Sequence, residues 1–248
     1  MQKIKVLLRY INRFGIAFTV SFLVQRFILK KSIIKLNLDS LKRPIYLRNN
    51  YSDFQVFTQI FLNDEYLVDN LSSPKVIIDC GANIGLASLF FISRYPDSSI
   101  IALEPAAENY KMLSKNLGKY HNVSILNKAL WSSKTFISIK DNGWGDAGFI
   151  VEECQQNITG CIETITLNDL VEQYELNEID LLKMDIEGSE EQIFSGDYSS
   201  WLGQTNNMFV EIHENLKPGI TDKILRITST NYSVNTNGEY HIFSRISS

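Results

Sequence analysis

Two sets of residues in this chain have types and spacings that suit chemistry. In the first, Asp79-Cys80-Gly81-Ala82-Asn83-Ile84-Gly85, an acid closes a short apolar run and two glycines follow at spacing four. Glycine has no Cβ, so the backbone can pass close to a ligand there. The acid stands at the carboxyl end of the run, the edge at which open α/β sheets bind ligands. The second set is Asp185-Ile186-Glu187 and Glu211-Ile212-His213, each pair closing an apolar run. Side chains two apart on an extended strand share a face. Asp185 is therefore expected beside Glu187, and Glu211 beside His213, and convergence of the two ends would join three carboxylates to an imidazole.

The first set fits two cofactor classes. A dinucleotide fold needs G-x-G-x-x-G, so that a pyrophosphate sits on free helix N–H groups. Here an acid precedes the first glycine, and Asn83 stands where the middle glycine would be. A carboxylate at Asp79 repels a pyrophosphate but suits an ammonium group. S-adenosylmethionine carries such a group, together with a ribose and a sulfonium. Glu104, 25 residues after Asp79, closes a second apolar run. That is near the ~20-residue interval at which nucleotide folds place a carboxylate on ribose hydroxyls. The plain alternative for Glu104 is an acid favoured by a helix dipole.

The second set admits three readings. His213, oriented by an acid, would serve as a general base. Asp185, Glu187 and His213 would bind a divalent metal, since oxygen-rich sites with one histidine suit magnesium, calcium or manganese. Otherwise the carboxylates cap helices and pair with Lys183, a reading that fits Glu190 best because it falls in a helical first turn.

These residues need a scaffold, and the hydrophobic pattern supplies one. Val76–Asp79, Ser99–Leu103, Val123–Leu126, Ile179–Met184 and Met208–Ile212 read as buried parallel strands. Helices alternate with them, including one after Pro105 and one opened by Thr166-x-x-Asp169. Ser189 with Gln192 reads as another capping box, and Ser52 or Asp53 as the cap of a helix over 54–61. Asn237-Gly238 marks a closing two-residue hairpin. Ile33–Leu38 and Pro44–Leu47 suggest an earlier hairpin. The fold class is thus α/β, a mostly parallel Rossmann-like sheet with a C-terminal antiparallel hairpin. Asp53 and Trp144, the latter in the glycine-rich loop 141–148, are candidate substrate contacts.

The 248 residues, 44% hydrophobic and 21% charged, describe an ordinary globular chain. Cys80, Cys154 and Cys161 have neither zinc-ligand spacing nor the look of a disulfide framework, which suggests a reducing, cytoplasmic setting. Residues 1–48 hold eleven Lys or Arg and one acid, Asp39, whereas the remainder holds 13 basic and 27 acidic residues. Residues 1–45 therefore read as a basic amphipathic extension and 46–248 as the cofactor-binding domain. The twelve uncharged residues between Arg13 and Arg26 are too few to span a bilayer, and no signal-peptide cleavage site follows. Residues 1–35 either lie along a membrane surface or pack on the domain or on a second subunit. Nucleic acid is not expected as a partner.

Together, DCGANIG (79–85), LEP (103–105), Asn127-Lys128-Ala129-Leu130, TLNDL (166–170), LLKMDIEGSE (181–190) and FVEIHE (209–214) resemble the FkbM family of S-adenosylmethionine-dependent methyltransferases. The likeness covers roughly residues 45–215. Ser132-Ser133 departs from it, where many members carry an acid near the adenine. The resemblance implies an O-methyltransferase acting on a hydroxyl of a sugar, glycan, lipid-linked sugar or secondary metabolite. It implies that Asp79, Gly81, Asn83 and Gly85 hold the methionine moiety, Glu104 the ribose, and Ala129 and Leu130 the adenine. No Asn/Asp-Pro-Pro-aromatic run follows the fourth strand, which by the same resemblance favours oxygen over amino nitrogen as the acceptor. A dinucleotide oxidoreductase and a non-catalytic binding module are the alternatives.

Overall fold

The computed structural model describes residues 2–68, 71, 73–141, 149–155 and 158–246. The chain begins with helices α1 (Gln2–Phe14) and α2 (Ile16–Leu23), strands β1 (Ile33–Leu36) and β2 (Ile45–Arg48), and helix α3 (Tyr51–Phe57). It continues through β3 (Val76–Cys80), α4 (Leu86–Arg94), β4 (Ser99–Leu103), α5 (Ala107–Leu117), β5 (Val123–Leu126) and β6 (Ala129–Leu130). Next come β7 (Phe136–Asp141), β8 (Phe149–Cys154), β9 (Cys161–Ile165), α6 (Leu167–Gln173) and β10 (Ile179–Met184). The last elements are α7 (Glu190–Ser195), α8 (Ser199–Gln204), β11 (Thr205–Glu211), α9 (Ile220–Thr228), β12 (Tyr232–Asn237) and β13 (Tyr240–Arg245).

Seven strands form the central sheet in the order β12-β13-β11-β10-β3-β4-β5. The five strands from β11 to β5 run parallel, and β13 and β12 close the sheet antiparallel. Ile77, Ile78, Leu181, Leu182, Met208 and Val210 are fully buried, as parallel strands covered on both faces require. From β3 the chain winds outward through β4 to β5, then returns to β10 on the other side of β3. Ligand crevices form at such a reversal, outside the carboxyl ends of the strands. Met184 pairs with Cys80 at the end of the β10–β3 ladder, so Gly81 and Asp185 emerge side by side. A second sheet, β6-β9-β7-β8, flanks the first.

The N-terminal segment folds back on itself. Gly15, at φ 85°, turns α1 into α2, and the Tyr10 and Phe22 rings stack 5.6 Å apart. Phe14 and Phe18 pack against Phe57 of α3. Arg13 donates to Phe61 O at 3.0 Å and pairs with Asp64. One face of the helical pair is thereby packed on α3 and on the π-helical turn Thr58–Leu62 that follows it. Among the described residues no helix is long and apolar enough to cross a membrane.

Several local expectations need correction. Asn50, not Ser52 or Asp53, caps α3: its extended backbone turns the side chain onto the Asp53 N–H at 2.8 Å. The α-helix stops at Phe57 and continues as the π turn. Ser189 makes no side-chain cap: at φ −86° and ψ 1° its backbone is not in the extended conformation of a capping residue. The Thr166–Asp169 capping box does form, as do both hairpins. Cys154 and Cys161 are joined by a disulfide across the turn between β8 and β9, leaving Cys80 as the free, buried thiol. Three unpaired cysteines therefore no longer argue for a reducing compartment.

Candidate active site

The Asp79–Gly85 turn is fixed from several sides. Gly81 has φ 75°, and a Cβ there would lie 1.8 Å from Asp185 O, so β10's exit fills the space a side chain would need. Gly85, at φ 87°, opens α4 against Leu113 and Leu117 of α5. Asp79 lies beneath the turn, completely buried. It accepts from Ser88 Oγ at 2.6 Å, with Lys183 Nζ 3.4 Å from its other oxygen. Lys183 also donates to Gly81 O at 2.8 Å and sits 3.4 Å from Asp185. Burial alone would lower the Lys183 pKa, but the Asp185 and Asp79 carboxylates hold it well above its ordinary value. This ammonium ties β3 to β10 beneath the site. Asp79 thus supports the turn from beneath, and its Oδ1 is buried without a hydrogen-bond partner among the described residues.

Two clefts meet over this turn. The first, of about 180 Å³, is lined by Gly81, Asn83, Glu104, Ala129, Leu130 and Ile137, among others. Glu104 is pinned by the N–H groups of Asn83 and Ala106, both at 2.8 Å. Burial raises its pKa against these hydrogen bonds. Asn83, at φ 52°, has a buried Oδ1 with no partner among the described residues. The second cleft, of about 360 Å³, lies between α3, the segment 59–66 and the β12–β13 hairpin. Gly81, Asn83, Asp185 and Glu187 line both clefts.

The reactive groups gather on the second cleft. Glu190, wholly buried, accepts from His213 Nδ1 at 2.9 Å and from Gly188 N at 3.2 Å. This fixes the imidazole with Nε2 3.5 Å from Glu187 and 3.7 Å from Glu211. Burial would lower the His213 pKa, but the Glu190 hydrogen bond and the Glu190, Glu211 and Glu187 charges raise it to about 9. Burial, and then the Asp185 charge, push Glu211 up to about 8. Asp185, Glu211 and His213 each offer one ligand atom, all within 4.8 Å of one another. The candidate metal set in the structure is thus Asp185, Glu211 and His213, with Glu211 where Glu187 was expected.

Glu190, read from sequence as a helix-turn acid, is the histidine's buried partner. Its position, six residues after the end of β10, carried no signal of that contact. Tyr240 and Tyr66 were also missed. Their hydroxyls bond at 2.6 Å, and Tyr240 donates to Asp185 at 3.3 Å. Asp53 is not available to a substrate. It is buried and held by Arg48 through Nη2 at 2.8 Å and by the Arg48 N–H at 2.8 Å, while its neighbours Ser52 and Gln55 face the second cleft. Trp144 lies outside the described residues.

A methyltransferase of Sordaria araneosa, sdnD, is 31% identical over 193 residues, 64% of this chain and 74% of that protein. The hexuronic acid methyltransferase AglP of Haloferax volcanii is 27% identical over 160 residues, 64% of each chain. Methyltransferase FkbM of Methylobacillus flagellatus KT aligns with a TM-score of 0.47 and 14% identity, over 76% of this chain and 47% of that one. The Methyltransferase FkbM domain model matches residues 79–234, from the Asp79 turn through both reactive strand ends to β12. The chain therefore belongs to the FkbM methyltransferase family.

Proposed function

We propose that this chain methylates a hydroxyl group of a sugar, glycan or secondary metabolite, using S-adenosylmethionine as donor. The observation that carries this reading is the meeting of two clefts at Gly81, Asp185 and Glu187, with a carboxylate-held histidine on one side only. AglP, named for a hexuronic acid, supports a sugar acceptor.

The first cleft suits the donor. Asn83 Oδ1 is an orphaned buried acceptor, which matches an ammonium donor. Glu104 offers its remaining lone pairs to ribose hydroxyls, and Ala129, Leu130 and Ile137 give an apolar wall for a purine. When bound, the donor supplies an electrophilic methyl on a sulfonium. The chain's own residues then have three tasks. Gly81 and the Asp185 backbone bring the clefts together, so that donor and acceptor align; positioning of this kind can contribute ~7–11 kcal/mol. The cleft walls exclude water. Once deprotonated, as pH rises toward its raised pKa of about 9, His213 Nε2 takes the hydroxyl proton as the new O–CH₃ bond forms and the S–CH₃ bond breaks, and Glu190 holds the ring in the required tautomer.

A second reading rests on the 4.8 Å grouping of Asp185, Glu211 and His213. A divalent cation held there would acidify the hydroxyl directly.

The test is methyl transfer from labelled S-adenosylmethionine to pooled glycans and lipid-linked sugars, with and without chelator, for wild type and His213→Ala. Chelator-resistant, His213-dependent labelling is expected. Chelator-sensitive labelling would favour the cation. Failure of S-adenosylhomocysteine to raise the melting temperature, with stabilisation by a nicotinamide cofactor, would sink the donor assignment. Stabilisation with no labelling of any acceptor would point to a binding module.

A further inference from the structure

The N-terminal helical pair presents an unusual surface. Fourteen large hydrophobic residues are exposed among the described residues, and nine of them fall within residues 4–29. Scattered exposed apolar residues are ordinary; a concentration in one-tenth of a chain is not. Ile4, Ile16 and Ile28 are exposed by 62%, 67% and 72%. The spacing is helical: Ile4 and Leu8 lie four apart on α1, and Ile16 and Val20 four apart on α2. The inward face is already filled, since Tyr10, Phe14, Phe18 and Phe22 pack on one another and on α3. The exposed stripe is therefore a second apolar face. Phe27, Ile28 and Leu29 continue it at the end of the segment.

Charge accompanies this face. Lys5, Lys30, Lys31 and Lys35 are exposed, and none forms an ion pair with a described residue. Arg9 and Arg13, by contrast, turn back onto Asn63 and Asp64. No acid occurs before Asp39. An apolar stripe bordered by lysines, on a segment that carries no acid of its own, is complementary to a surface with an apolar interior and anionic headgroups. A protein partner or a second copy of this chain, whose body is acidic, would satisfy the lysines but would need its own apolar stripe.

We propose that α1, α2 and residues 24–31 dock the enzyme on the face of an anionic lipid bilayer, lying in the plane of the interface. The helices are too short to cross, and the fold they pack on would stay in water. Docking there would keep the second cleft close to acceptors that are themselves held at a membrane.

The test is co-sedimentation of the full chain with vesicles of phosphatidylcholine alone or mixed with phosphatidylglycerol. Binding to the anionic vesicles is expected, weakened more than about tenfold on neutral vesicles or at raised salt. Leu8→Asp combined with Ile28→Asp, and separately Lys30→Glu with Lys31→Glu, should each abolish it while leaving the urea midpoint unchanged. Absence of binding, equal binding to neutral vesicles, or variants that bind like wild type would overturn the proposal. So would a wild-type dimer that the Leu8/Ile28 variant converts to monomer without any lipid binding, which would identify the face as a self-interface.

Discussion

Glu190 and His213 are 23 residues apart in sequence, yet a wholly buried carboxylate oxygen lies 2.9 Å from the imidazole Nδ1. The contact joins the start of α7 to the residues just beyond β11. It leaves Nε2 as the nitrogen turned toward Glu187 and Glu211, beside the second cleft.

Its removal has a signature that separates orientation from charge. Glu190→Gln should lower kcat by ~10–100-fold, the usual loss for a partner that holds a histidine's tautomer. The variant should also move the pH-rate midpoint below that of wild type, because the largest influence raising the His213 pKa is gone. A rate profile with an unchanged midpoint would mean that His213 is not the titrating base.

The same histidine predicts how stability varies with pH. Its folded pKa lies above the ordinary value of 6.5, so it binds its proton more tightly when folded. The stabilisation is fully present below pH 6.5 and is lost as pH rises through about 9. Urea unfolding should show the stability gap between wild type and His213→Asn narrowing across that window.

Two glycines should respond differently to alanine. At Gly81 the added Cβ meets Asp185 O, a backbone atom that cannot move without breaking the β3–β10 ladder. Gly81→Ala should cost ~3 kcal/mol or more in urea unfolding. At Gly85 the nearest atom is the tip of Leu113, which can shift. Gly85→Ala should cost ~1–2 kcal/mol, the left-handed backbone strain alone.

Asp79 and Glu104 should also separate. Asp79→Asn leaves the buried Lys183 short of one counter-charge and should destabilise the fold by ~2–4 kcal/mol. Affinity for S-adenosylhomocysteine, measured calorimetrically, should stay within about threefold, because Asp79 supports the turn from beneath. Glu104→Gln should weaken that affinity more than about tenfold, since its NH₂ group must face one of the Asn83 and Ala106 N–H donors while its oxygen satisfies only the other.

Arg48→Ala strands the Asp53 carboxylate under α3. A loss of ~2–3 kcal/mol is expected, less than for a fully buried pair because Arg48 is partly in water. The acceptor KM should rise with it, since α3 carries Ser52 and Gln55 into the second cleft.

The parallel strands, the glycine turn and the reactive strand ends were legible because burial on both faces, positive φ and strand termini each leave a local mark in sequence. What was not legible depends on contacts between distant segments. That Asp79 meets Lys183 is decided by where β10 carries the lysine. Asp53 looked free because Arg48, five residues away, gives no sign that it curls back. Glu190 had an ordinary local explanation, and only the register of β11 against β10 brought His213 to it. Cys154 and Cys161 needed the β8–β9 turn to draw them together.

The link between Tyr66 and Tyr240 has a consequence for how this enzyme can diverge. It joins the stretch before β3 to the strand that closes the sheet, and Asn237 adds a bond to Glu65 O at 2.8 Å. The second cleft thus takes part of its wall from the two flanks of the fold, residues 52–66 and 211–240, whereas the first is built from residues 81–137 and 185–189 alone. If the second cleft takes the acceptor as proposed, substitutions at Ser52, Gln55 or Glu239 should change which molecule is methylated and leave the first cleft intact. Under that proposal, acceptor preference would be inheritable apart from donor use.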